Sequence, residues 1–166
     1  MTNQMTNQNC IITPAARQRL ETQGYIGYTD TELGSFKFGI RFAYYLCGFI
    51  AVLGLLLTSP TILFSAMVIA LMGAILPRHP FDYLYNHVIR YWINKPQIPL
   101  RTKQGHFACG MAVVWLAVTT WLFYAGLNTW GYVLGYMLVG TAILVVTMDV
   151  CIPSMIYNFL FSRKSG

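Results

Sequence analysis

The amino-acid sequence predicts an all-α integral membrane protein, a transmembrane four-helix bundle built as two antiparallel hairpins. Three observations predict it. Hydrophobic residues make up 56% of the chain and charged residues only 10%, against roughly 25% charged in a soluble domain, so lipid must solvate much of the surface. Four apolar stretches each approach the ~20 residues a helix needs to cross ~30 Å of hydrocarbon. All 11 Lys and Arg fall in three regions that a four-pass chain brings to one side, and the two short joints between helices carry none. Positive residues mark the cytoplasmic face, so both termini are expected in the cytoplasm.

Residues 1–37 read as a polar N-terminal extension. It has no apolar signal-peptide core, so insertion is expected to use the first internal apolar segment. Thr13 and Pro14 open a short helix there, as cap and first helical residue, and Gly24 closes it. The stretch from Gly24 to Ser35 is rich in turn formers and reads as a loop. The transmembrane domain, residues 38–166, follows with spans at 38–57, 60–76, 107–127 and 131–151. Ser59 and Pro60 suit the start of the second span. The short joints around Ser59 and Asn128 make each pair of spans a hairpin.

Two further helices are expected at the interface. In residues 80–93, Phe81, Leu84, Tyr85, Val88 and Trp92 recur at helical spacing, with Asp82, Asn86 and Arg90 on the other side. The apolar side is expected against lipid or the bundle. The last apolar stretch runs on to Phe161, ~45 Å as one helix, too long for a straight crossing. Pro153 is the expected break, and 152–161 then forms an amphipathic tail bearing Ile152, Met155, Ile156, Phe159 and Leu160.

Four stretches, taken together, resemble a family pattern. They are Gly39-Ile40-Arg41-Phe42, His79-Pro80-Phe81-Asp82, Gly105-His106-Phe107-Ala108-Cys109-Gly110, and Cys151-Ile152-Pro153-Ser154 with Tyr157. In order and spacing they resemble the domain-of-unknown-function 4395 family of small four-helix bacterial membrane proteins, over about Phe38 to Phe161. The resemblance implies a bacterial source and lends no activity. Members often carry a Cys-x-x-Cys pair before the Tyr. Here the second position is Ser154, so no dithiol activity carries over.

Asp149 is the most informative polar residue. An unpaired carboxylate in a bilayer costs roughly 2.5–3.5 kcal/mol at the centre and less near the surface. Arg41 enters the membrane at the same depth, so an Asp149–Arg41 ion pair is expected to tie the fourth span to the first. Gly131, Gly135 and Gly140 offer a small-residue surface for helix packing. Thr119 and Thr120, near mid-membrane, can bond their own helix carbonyls. Cys109 and Cys151, in the cytoplasmic half, are the candidate redox thiols. The plainer reading makes all four cysteines small core residues kept reduced by the cytosol. His79, His87 and His106 fall near the cytoplasmic interface as candidate lipid-, quinone- or pigment-binding side chains. The plainer reading leaves each half-exposed there.

No nucleophile–base pair, phosphate loop, carboxylate dyad or metal-ligand spacing appears, so no catalytic or metal residues are assigned. The net charge of +6 fits membrane orientation and anionic lipid rather than nucleic acid. The expected function is a non-catalytic accessory or structural subunit of a larger bacterial inner-membrane complex, respiratory, photosynthetic or secretory. Its partners would be membrane lipids and other subunits, and it would need no cofactor beyond a bound lipid or pigment. The alternatives are a thiol-linked redox protein using Cys109 and Cys151, and a pigment, quinone or lipid binder.

Overall fold

A computed structural model describes residues 12–161, and Cys10 lies outside them. Helices account for the regular structure, and no strand occurs among the described residues. Helix α1 spans Pro14–Thr22. Thr13 Oγ1 accepts from the Ala16 N–H at 3.4 Å, and Gly24, at φ 92°, turns the chain back.

Helix α2 spans Asp30–Leu56 and begins well before Phe38, inside the expected loop. Thr29 and Glu32 form a capping box: the Thr29 N–H donates to Glu32 Oε2 at 2.8 Å, and the Glu32 N–H donates to Thr29 Oγ1 at 3.4 Å. Thr and Asp favour turns and helix caps for the same reason, their side-chain oxygens, so composition alone did not separate the two. The early start gives the arm a core of its own. Leu33, Phe36 and Ile40 pack with Ile12, Ala16 and Leu20 of the arm and with Tyr85 and Ile98.

Helix α3 spans Pro60–Ile75. Pro60 opens it, but the Ser59 side chain makes no capping bond. Beyond it the chain bends by 79° into a continuous helical run. That run comprises α4 (Pro80–Leu84), a π-helical turn (Tyr85–Ile89) and α5 (Arg90–Trp92). Helix α6 spans Lys103–Tyr124 and α7 spans Asn128–Met148, so each starts three or four residues ahead of its expected span and ends about three early. Thr102 sets the first of these starts, because its hydroxyl accepts from the Gly105 N–H at 3.1 Å.

The break after α7 is not at Pro153. Asp149 ends the helix in a left-handed conformation, at φ 58°, which Asp tolerates better than most residues. Helix α8 (Ile152–Phe161) then carries Pro153 in its first turn, where the missing N–H has no intrahelical partner to lose.

Helices α2, α6 and α7 are long and apolar enough to cross a membrane, and a fourth crossing is reached if α3 and its bent continuation count as one. Helix α2 contacts α3 and α7, α6 contacts the same two, and α8 lies against α6 and α1. Phe49, Phe64, Trp121 and Trp130 stand exposed around the outside, as lipid-facing side chains do and as a soluble surface rarely does.

Of the two places expected for the apolar side of helix 80–92, the bundle does not take most of it. Asp82, Tyr85 and Asn86 are buried, whereas Leu84, Val88 and Trp92 are exposed. The polar side turns inward because partners wait there. Asn86 Oδ1 accepts from the Ile98 N–H at 3.1 Å, and Asp82 meets Arg101.

Candidate functional site

Two buried polar clusters sit at the end of the helices that carries the arm. The first is built on Asp149. Its side chain is 5% exposed, and Lys37 Nζ lies 2.8 Å from Oδ2. Arg41 donates through Nε to Oδ1 at 2.6 Å, and a second guanidinium nitrogen pairs with the same oxygen. Lys37 and Arg41 are four residues apart on α2, one turn above the other, so both reach one carboxylate. The expected pair therefore forms, with a third member that the sequence reading missed. The four-residue spacing was the available signal.

The arm completes this knot. Gln23 Nε2 donates to the Asp149 carbonyl at 2.8 Å, and Arg19 donates to the Met148 carbonyl at 2.5 Å. The last carbonyls of a helix lack intrahelical donors. Here the arm supplies them and pins the α7–α8 break.

The second cluster surrounds Arg101. Its side chain is 7% exposed, and its guanidinium lies 3.3 Å from Asp82 Oδ2, a carboxylate itself 10% exposed. The Tyr44 ring lies beneath, 5.7 Å from the guanidinium carbon. Burial pushes the Asp82 carboxyl above its usual range although Arg101 pulls it down. Burial also raises the Tyr25 hydroxyl to about 12. The cavity here has about 10 Å³ of room, enough for about one water, and Gln23, Tyr25, Tyr44 and Ser154 help to line it. The two clusters share Gln23, whose carbonyl accepts from Thr102 Oγ1 at 2.6 Å.

These residues belong largely to one sequence family. The family model described as "Domain of unknown function (DUF4395)" matches residues 37–162. The chain belongs to the DUF4395 family. The resemblance read from the four motif stretches is thereby borne out. No curated protein and no solved structure matches the chain. Within the DUF4395 match lie Lys37, Arg41, Asp82, Arg101 and Asp149. Arg19 and Gln23, which tie down the α7–α8 break, precede it.

Within the DUF4395 match, the stretch His79-Pro80-Phe81-Asp82 closes on itself. The His79 N–H donates to Asp82 Oδ2 at 3.0 Å, and His79 Nδ1 accepts from the Phe81 N–H at 3.3 Å. With Nδ1 accepting, the neutral ring carries its proton on Nε2, which faces Cys47 Sγ at 3.7 Å. That nitrogen cannot also act as a base toward the thiol. Gly73 permits this packing, since a Cβ there would overlap the imidazole and come within 3.2 Å of Cys109 Sγ.

The three histidines do not form one site. His79 is 1% exposed rather than half-exposed, because the bend after α3 folds it inward. His87 is exposed and lies against the Tyr83 carbonyl at 2.9 Å. His106 contacts the Ala74 carbonyl at 3.0 Å. Cys109 and Cys151 are buried free thiols and Cys47 is a half-buried one, and no cluster of metal-ligating side chains occurs among the described residues. Gly131 faces the Phe123 ring and Gly135 faces Leu55. Gly140 packs on no other helix: a Cβ there meets nothing within 4 Å, because it points outward. Thr119 bonds the Trp115 carbonyl at 2.8 Å, but Thr120 Oγ1 is buried without a partner.

Acid should weaken the fold through His79. Burial, with Arg101 nearby, lowers its pKa from 6.5 to about 3. The unfolded imidazole then takes a proton that the folded one refuses, so stability present above about pH 6.5 is lost as pH falls toward 3. The slope is about 1.4 kcal/mol per pH unit. Asp82, whose pKa is raised, contributes in the opposite sense only in the carboxylate range. Thermal melts between pH 7 and 5 should show a falling midpoint in the wild type and a flatter response in His79→Gln; parallel curves would remove His79 as the cause.

Proposed function

We propose that this DUF4395 protein is a non-catalytic accessory subunit of a larger bacterial membrane complex. It crosses the cytoplasmic membrane four times as a bundle of two helical hairpins, with both ends in the cytoplasm. The distribution of cations supports the orientation, since the joints at Ser59 and Asn128 carry none.

One observation carries the functional reading. The chain has five carboxylates, and every one is committed to holding the structure together. Glu21 and Asp30 pair with Arg17, Glu32 caps α2, Asp82 pairs with Arg101, and Asp149 pairs with Lys37 and Arg41. Proton transfer and transport across a membrane draw on acidic groups free to change state. Here the acids anchor a shaped polar cap on an apolar bundle, which favours assembly over chemistry.

Mild detergent extraction of the full chain from its native membrane tests the proposal. A companion membrane protein at fixed stoichiometry, cross-linked to the bundle in intact membranes, is expected. A lone monomer from membranes cross-linked before extraction would overturn the subunit reading.

A further inference from the structure

A groove about 580 Å³ in volume runs along the outside of α6 and α7. Its α6 wall carries a stripe, Phe107, Gly110, Val114 and Val118, spaced at three, four and four residues. Such spacing keeps side chains on one helix face. Met111, Trp115 and Leu134 form the rest, and the Trp115 Nε1–H donates to the Leu134 carbonyl at 2.9 Å. That bond fixes α6 to α7, so the groove is preformed. Gly110 leaves its floor open: a Cβ there meets nothing within 4 Å.

From Phe107 to Val118 the stripe covers ~17 Å along the helix, about half of a ~30 Å hydrocarbon core. This is one leaflet, the depth over which a lipid tail runs. Lys103 continues the same stripe one turn beyond Phe107, at headgroup level. It is exposed, and no carboxylate among the described residues pairs with it. The Phe107 ring packs against Tyr157 with centroids 5.5 Å apart, a cluster of the kind found where hydrocarbon meets headgroups.

We propose that this groove binds one anionic phospholipid, its tail along Phe107–Val118 and its headgroup on Lys103. The inference rests on α6 and α7 crossing the membrane and not on the subunit reading.

Native mass spectrometry of the purified full chain, exchanged into detergent with phosphatidylglycerol or phosphatidylethanolamine, tests it. The wild type should retain one phosphatidylglycerol with about fivefold preference, the ratio equivalent to ~1 kcal/mol per cation near a membrane surface. Lys103→Gln should abolish the preference, and Gly110→Leu should abolish retention of either lipid. Gly140→Leu adds the same side chain in open space off the groove and should retain lipid as the wild type does. No preference in the wild type, or unchanged retention in Gly110→Leu, overturns the groove proposal. Release of the wild-type chain from membranes by alkaline washing would instead sink the membrane-crossing reading beneath it.

Discussion

Asp149→Asn is expected to destabilise the folded chain by about 3–5 kcal/mol, the cost typical of removing one partner from a buried ion pair. The carboxylate is 5% exposed, and its two cations, Lys37 and Arg41, are 28% and 19% exposed. Without it two positive charges crowd one turn of α2 with nothing to balance them. Asparagine also tolerates the left-handed backbone at this position, so the substitution removes charge without adding strain. Arg41→Gln should be milder, because Lys37 still neutralises the carboxylate. Denaturation in detergent micelles of the two single variants and the double variant checks this. The double variant should lose clearly less than the sum. Strict additivity would show that Asp149 and Arg41 do not act as a pair.

The second large effect is asymmetric. Asp82→Asn should cost more than Arg101→Gln, although the two residues form one pair. An arginine cannot discard its charge, so the guanidinium left behind by Asp82→Asn stays buried and unbalanced, at about 3–5 kcal/mol. Its Nε already lacks a partner. The carboxyl left behind by Arg101→Gln has an escape. Burial already raises its pKa, so it can take a proton and become neutral. The deficit of Arg101→Gln should therefore shrink as pH falls into the carboxylate range, whereas that of Asp82→Asn should not. Equal losses with no pH dependence would defeat this account.

The elements that local chemistry controls were legible in the sequence. Thr13-Pro14 marks where α1 begins, because capping needs only neighbouring backbone. Arg41 and Asp149 could be matched by depth, because hydrophobic length sets where each charge enters the membrane. Lys37 was within reach of the same logic, being one turn from Arg41. Its place at the very end of the polar extension, just ahead of the first expected span, hid it, and the Thr29–Glu32 capping box was the overlooked sign that α2 starts earlier.

The buried face of helix 80–92 was not legible. Periodicity identifies two sides of a helix, and it left the apolar one to lipid or to the bundle without saying which side the protein buries. Here Asp82 is satisfied by Arg101, nineteen residues away, and Asn86 by the backbone of Ile98. The inward turn of His79 depends likewise on Gly73 and on a bend of 79°.

By itself the sequence determined an all-α chain with helices apolar enough for a membrane, together with its DUF4395 membership. Those follow from composition, hydrophobic length and motif order, which are properties of neighbouring residues. Only the tertiary structure decided which polar groups are buried. Burying a polar group costs energy unless a partner meets it, and those partners come from segments far apart along the chain.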